Sequence, residues 1–197
     1  MKKLLIALSL ILTASSAFAF ELPFEAAIAH QMLLAKEGGI ADWKIGDTLN
    51  YDMKIKPISV FVTLKASLKV TQNDKDGINI AEELSYTKYK ILIDTLIDPE
   101  TGKIKRTRIN GKDQPQSVGA KQGETKIVKE EESHIIVAAF PKAGIDCIHL
   151  VTADADGNQT EAWLNPSAVP LSGLLKSVVV QGILTIEMEL TSFAVGH

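Results

Sequence analysis

The sequence predicts a mainly β protein: a curved antiparallel meander sheet, a half-barrel or open barrel, covered by an N-terminal amphipathic helix. Three observations predict it. Over most of the chain apolar and polar residues alternate with period 2 rather than 3.6. Short turn sequences rich in Asp, Asn and Gly separate the alternating runs. No segment between them is long and helical enough to make the crossover that parallel strands need. A sheet with one apolar face must curl around something, pack on a second sheet or close into a barrel.

The first 19 residues read as an export signal. Lys2 and Lys3 give a positive start, Leu4 to Thr13 is almost unbroken apolar sequence, and Ala17-Phe18-Ala19 places small residues where signal peptidase reads them. Cleavage leaves Phe20 first and residues 20–197 as a single β-rich domain. The apolar stretch falls short of a comfortable membrane span, and no later segment reaches about 18 uncharged apolar residues, so no transmembrane segment is expected after cleavage. No Cys stands at the cleavage point to carry a lipid anchor. The expected location is the bacterial periplasm or the medium, as a soluble protein.

From Phe20 to Lys36, Phe24, Ala27, Ile28 and Met32 recur at helical spacing, Pro23 sits at a tolerated first-turn position and Gly38-Gly39 ends the run. This is the amphipathic helix, whose apolar stripe must cover something hydrophobic.

The strands follow. Leu49, Tyr51, Met53 and Ile55 alternate with polar neighbours until Pro57, and Val60 to Thr71 alternate over one long strand. Asn73 to Gly77 is a turn. Ile78, Ile80, Leu84 and Tyr86 resume the alternation, then Tyr89 to Ile97 take the opposite parity, which places a turn or bulge near Thr87. Asp98 to Gly102 turns into Lys103 to Ile109, and Asn110-Gly111 is the strongest hairpin signal in the chain. Gln114 to Glu124 is polar and reads as a loop. Further strands are read at Thr125 to Glu131, His134 to Ala139, Ile145 to Thr152, Thr160 to Leu164 and Gly182 to Phe193.

Composition excludes several classes. Hydrophobic residues at 46% and charged residues at 23% are globular values, against disorder or a fibrous chain. The formal charge of −3 carries no basic block, so nucleic acid is not an expected partner. The acidic run Glu130-Glu131-Glu132 reads as a solvated face. Cys147 is the one cysteine, so no intramolecular disulfide can form, and it reads as a small buried residue in a strand. Asp154 to Asn158 lacks the ligand spacing of a calcium loop and reads as a hairpin turn.

His30, His134, His149 and His197 are too scattered for a metal site, and His149 reads as a hydrogen-bonded structural histidine. No metal, no cofactor and no catalytic activity are expected, since no nucleophile elbow, zinc motif, P-loop or dinucleotide fingerprint occurs. The most distinctive stretch, Glu161 to Ser177, reads as an aromatic-bearing strand, a corner between Pro166 and Pro170, and an apolar segment that Gly173 lets pass close to a neighbour. Leu171 to Ser177 could add a short second helix. Trp163, Leu171 and Leu174 are candidates for a rim or lid, against a structural corner that anchors Trp163 in the core.

The export signal without an anchor Cys, the N-terminal helix, the Gly46-Asp47-x-Leu49-x-Tyr51 opening, the meander of hairpins and the Trp163 to Lys176 corner together resemble the periplasmic lipoprotein-carrier (Lol-type) superfamily and its uncharacterised envelope relatives. The resemblance implies an antiparallel half-barrel covered by helices, with acyl chains held between. It transfers no individual site residue.

The expected function is therefore a soluble periplasmic carrier or binding protein for a lipid or other hydrophobic ligand held in the concave face of the sheet. The candidate lining residues, each on the apolar parity of its strand, are Val62, Leu64, Leu68, Ile91, Ile93, Leu184, Ile186 and Met188. The alternative is a non-catalytic envelope interaction or scaffold protein with a filled core, its partner another envelope protein.

Overall fold

The computed structural model describes residues 43–56, 62–99, 104–113, 126–153, 157–171, 173–181 and 184–196. The signal sequence, the Phe20 to Lys36 helix and the Gln114 to Glu124 loop lie outside the described residues, and so do His30 and His197. Among the described residues there is no helix, and none that could cross a membrane.

Among the described residues eleven strands form one sheet: β1 (Thr48–Lys56), β2 (Val62–Asp74), β3 (Gly77–Tyr86), β4 (Tyr89–Ile97), β5 (Ile104–Ile109), β6 (Lys112–Asp113), β7 (Lys126–Val137), β8 (Phe140–Ala153), β9 (Gln159–Leu164), β10 (Leu174–Gln181) and β11 (Leu184–Ala194). Their order across the sheet is β6-β5-β4-β3-β2-β1-β11-β10-β9-β8-β7. Every neighbouring pair is antiparallel. The first and last strands thus lie side by side in the middle, while β6 and β7, consecutive in sequence, stand at opposite edges. The sheet is open, with no pairing between those edges among the described residues.

Turn chemistry sets the register where the sequence carries it. Thr87 has φ +53° in the two-residue turn where the parity changes, with Tyr86 opposite Tyr89. Asn110 and Gly111 have φ of +50° and +77°, the left-handed pair that suits the twist of a tight hairpin. β8 and β9 pair antiparallel with Ala153 opposite Gln159, and residues 154–156 of the expected turn lie outside the described residues.

Three sequence expectations are corrected. The segments read as two strands, Thr125 to Glu131 and His134 to Ala139, are the single strand β7, and the chain turns at Ala138-Ala139, where no turn residue announces it. Tertiary hydrogen bonds hold that turn: the Ala139 amide donates to the Leu190 carbonyl (3.1 Å) and the Ala138 amide to Glu189 Oε1 (3.0 Å). Next, Leu171 to Ser177 is not a helix. From Leu174 the chain is β10, paired with β9 and β11, as its β-branched run Val178-Val179-Val180 favours. Finally, β8 starts at Phe140, five residues before the expected strand. Its early part has no β9 partner, and Phe140 reaches Phe193 of β11, with ring centroids 5.8 Å apart.

The core lies on one face. Leu49, Tyr51, Met53 and Ile55 of β1, Leu64 to Val70 of β2, Ile78 and Ile80 of β3, Ile97 of β4 and Ile186 to Leu190 of β11 contribute alternate buried side chains. Each stabilises the fold by about 1.5–3 kcal/mol relative to exposure. The β1 entry is fixed by Asp47, whose carboxylate accepts from the amides of Lys44 (2.7 Å) and Gly196 (2.8 Å), clipping the start of β1 to the end of β11.

Candidate functional site

Register places the candidate lining residues on one continuous apolar face. Val62 lies opposite Ile55, which lies opposite Ile186; Leu64, Met53 and Met188 form the next row. Leu68 pairs with Leu49 on one side and with Glu82 on the other, and Glu82 pairs with Ile93; Ile91 pairs with Leu84. Leu64, Leu68, Ile186 and Met188 are buried, whereas Val62, Ile91 and Ile93 are half-buried and pack against the core. Leu184 pairs with Gln181 in the ladder, and its side chain is outside the described set.

Two polar side chains interrupt this face. Glu82, 8% exposed, stands between Leu68 and Ile93. Its place was legible in the sequence from its shared parity with Ile80 and Leu84. Ser177, fully buried, stands between Ala162 and Met188, and its Oγ has no hydrogen-bond partner among the described residues.

The three rim candidates are not brought together on one surface. Leu174 is fully buried, and its carbonyl accepts from the Tyr51 hydroxyl (2.9 Å). Leu171 is buried with φ +59°, a strained backbone held in place by the corner around it. That corner is organised by Asn165, whose Oδ1 accepts from the amides of Ser167 (3.1 Å) and Ala168 (3.0 Å) and from Ser167 Oγ (2.7 Å). Gly173, at φ +66°, has no room for a side chain: a Cβ there would collide with the backbone of Asn165 and Pro166.

Trp163 stands on the other face from Ala162 and Leu164. Its ring stacks on His149 at 4.4 Å and 6°, and Lys176 Nζ lies 5.3 Å above it, a cation–π arrangement. His149 is the hydrogen-bonded histidine expected from sequence: Nδ1 meets Glu131 Oε1 at 3.1 Å and Nε2 meets Glu161 Oε2 at 3.0 Å, which joins β7, β8 and β9 across their outer side. Glu131 is held below the usual carboxylate range, by Lys129 first and then by His149. Cys147 is buried, as expected, and burial pushes its thiol up while Sγ donates to the Ser133 carbonyl at 3.5 Å.

One groove was not foreseen in the sequence. A groove of about 820 Å³ lies between the β7–β8 hairpin and the corner, lined by Glu132, Ser133, His134, Asp146, Cys147, Ile148, Leu164 and Asn165 to Ser167. Its lining mixes the apolar side chains of Ile148 and Leu164 with the acidic ones of Glu132 and Asp146. His134 Nδ1 binds Asp146 Oδ1 at 2.6 Å and its Nε2 meets the Ala143 carbonyl at 2.9 Å. Asp146, and then that carbonyl, raise the imidazole above its ordinary value. No cluster of three or more metal-ligating groups occurs among the described residues.

Solved structures match the chain at low identity and with TM-scores below 0.5. The MucA/MucB complex of Pseudomonas aeruginosa matches at TM-score 0.44 and 13% identity, over 86% of this chain and 56% of the other, so the chain spans little more than half of that protein's length. A LolA superfamily protein of Nitrosomonas europaea matches at TM-score 0.41 and 5% identity, over 87% and 93%. An outer membrane lipoprotein-sorting protein domain of Vibrio parahaemolyticus matches at TM-score 0.35 and 13% identity, over 85% and 90%. No protein family's sequence profile matches the chain, and no curated protein matches it by sequence.

Proposed function

We propose that the protein is a non-catalytic periplasmic carrier that shelters a lipid or other hydrophobic ligand against the apolar face of its open sheet. The observation that carries this reading is the apolar face running from Ile91 and Ile93 of β4 to Val179 of β10, interrupted by Glu82 and Ser177, on a sheet that among the described residues closes neither on itself nor on a second sheet. The half-buried positions Val62, Ile91, Ile93 and Val179 fringe the fully buried centre and are where a chain of methylenes would gain most. At about 25 cal/mol per Å² of apolar surface removed from water, one acyl chain gains several kcal/mol without any charged contact.

The test is solvent extraction of the natively purified protein followed by mass spectrometry, with titration of a fluorescent fatty acid. Bound amphiphile and saturable fluorescence are expected, weakened tenfold or more by Leu64→Glu or, at a half-buried position that unfolding threatens less, by Val62→Glu. Leu92→Glu, on the exposed outer side of β4, leaves binding unchanged. Absence of both extracted amphiphile and fluorescence response overturns the reading.

One observation favours the alternative of an envelope interaction or scaffold module: Leu49, Leu68, Val70, Ile78 and Leu190 at the centre of the face are fully buried, as they would be in a core filled by the protein's own groups.

A further inference from the structure

The two edges of the sheet are protected very differently. Among the described residues, one edge is β6, of two residues. The other edge is β7, of twelve, and nine of its twelve residues are exposed. Native edge strands are commonly blunted by charge, bulges or shortness, because their unpaired N–H and C=O groups invite another strand. β7 has register breaks near Val128 and Ile136, and the regular stretch Lys129 to Ile135 between them carries Glu130, Glu131 and Glu132. Yet Ile127, Val128 and Ile136, at 47%, 59% and 67% exposure, stand at its two ends. Blunting explains the glutamates but not aliphatic side chains held in water on the same edge.

We infer that β7 is a docking strand for an extended basic segment of an envelope protein, one with Lys or Arg at alternate central positions between aliphatic residues. The charges argue for that occupant. Glu131 is matched by Lys129 and His149, but Glu130 and Glu132 have no ion-pair partner among the described residues. A second copy of this chain pairing β7 with β7 would set glutamates against glutamates, which is unfavourable across a ladder.

The groove supplies the independent observation. Glu132 lies opposite Ile148, which lies opposite Leu164, so the side of β7 that carries Glu130 and Glu132 opens onto the groove. A lining that combines apolar Ile148 and Leu164 with acidic Glu132 and Asp146 suits the aliphatic stem and cationic head of a long basic side chain. Strand addition supplies main-chain hydrogen bonds, and the groove selects the side chains. This inference is independent of ligand carriage.

The test is fluorescence anisotropy of the full chain with three labelled twelve-residue peptides: Val/Ile ends around alternating Lys and Thr, the same peptide with Glu for Lys, and the Lys peptide N-methylated at alternate amides. The Lys peptide should bind at least tenfold more tightly than either of the others. Glu130→Lys with Glu132→Lys should weaken it tenfold or more with unchanged circular dichroism, and Val128→Thr with Ile136→Thr severalfold. Failure of the Lys peptide to bind overturns the inference. So does binding that N-methylation leaves intact, which marks plain electrostatic attraction, and so does a dimer in sedimentation that the charge reversal does not abolish.

Discussion

At the residue scale the clearest electrostatic contact is His134 with Asp146. The imidazole is raised above its ordinary value of about 6.5, chiefly by the Asp146 hydrogen bond. A group whose pKa rises on folding stabilises the native state fully below its unfolded value, and that contribution fades as pH climbs through the folded value. Asp146→Asn should therefore lower the melting temperature at about pH 5 and converge with the parent at about pH 9. The pair is solvent-exposed, so the difference should be modest. Proton NMR gives the sharper reading, with the His134 midpoint falling toward the ordinary value in the variant. An unmoved midpoint would show that the Ala143 carbonyl, not the carboxylate, sets it. Lys56 and Glu187 form the mirror case: the lysine first of all lowers the Glu187 carboxyl, so their contribution is present above the ordinary glutamate value and disappears as pH falls.

At the element scale the joint between β1 and β11 depends on one carboxylate. Asp47 is 3% exposed and satisfies two backbone amides, Lys44 before it and Gly196 at the far end of the chain. Asp47→Ala would leave both donors without this acceptor where water reaches poorly, a loss of about 1–3 kcal/mol. Urea denaturation should show the midpoint falling with an unchanged slope, and Asp47→Asn should recover part of it. A midpoint within error of the parent would mean that water replaces the carboxylate.

The Gly46-Asp47 opening was visible in the sequence as a motif, but its partner 149 residues away was not, because local patterning carries no information about which distant amide a side chain will meet. The same division runs through the strands. β1 to β5 were legible since alternation and turn residues agree there, and Glu82 could have been placed by parity. β7 and β10 were misread: a turn held by Leu190 and Glu189 has no turn residues to announce it, and consecutive Leu174 and Leu175, both buried at the register break between Leu174 and Lys176, lose the alternation that marks a strand. Of the candidate site, the apolar parity was legible; the groove, built by the β7–β8 hairpin against the corner, was not.

At the scale of the whole molecule, strand order makes a prediction that no local feature does. The first six strands form one contiguous half of the sheet and the last five the other. The halves meet along β1 and β11 over the full length from Thr48 to Lys56. Residues 114–125 join the two outer edges and not the two halves at their seam. A cut there severs the chain without touching the ladder in which Tyr51, Met53 and Ile55 face Leu190, Met188 and Ile186. With a specific protease site placed between Gln114 and Thr125, cleavage should leave both fragments co-eluting in gel filtration with the parent's circular dichroism. They should separate only in denaturant, at a midpoint that depends on protein concentration, because unfolding has become bimolecular. Met188→Lys, which puts a charge into the seam, should part the cleaved halves while the uncut chain, aided by covalent connection, stays folded. If wild-type fragments drift apart on cleavage, the central pairing is too weak to unite the sheet, and the edge-to-edge connection holds the molecule together.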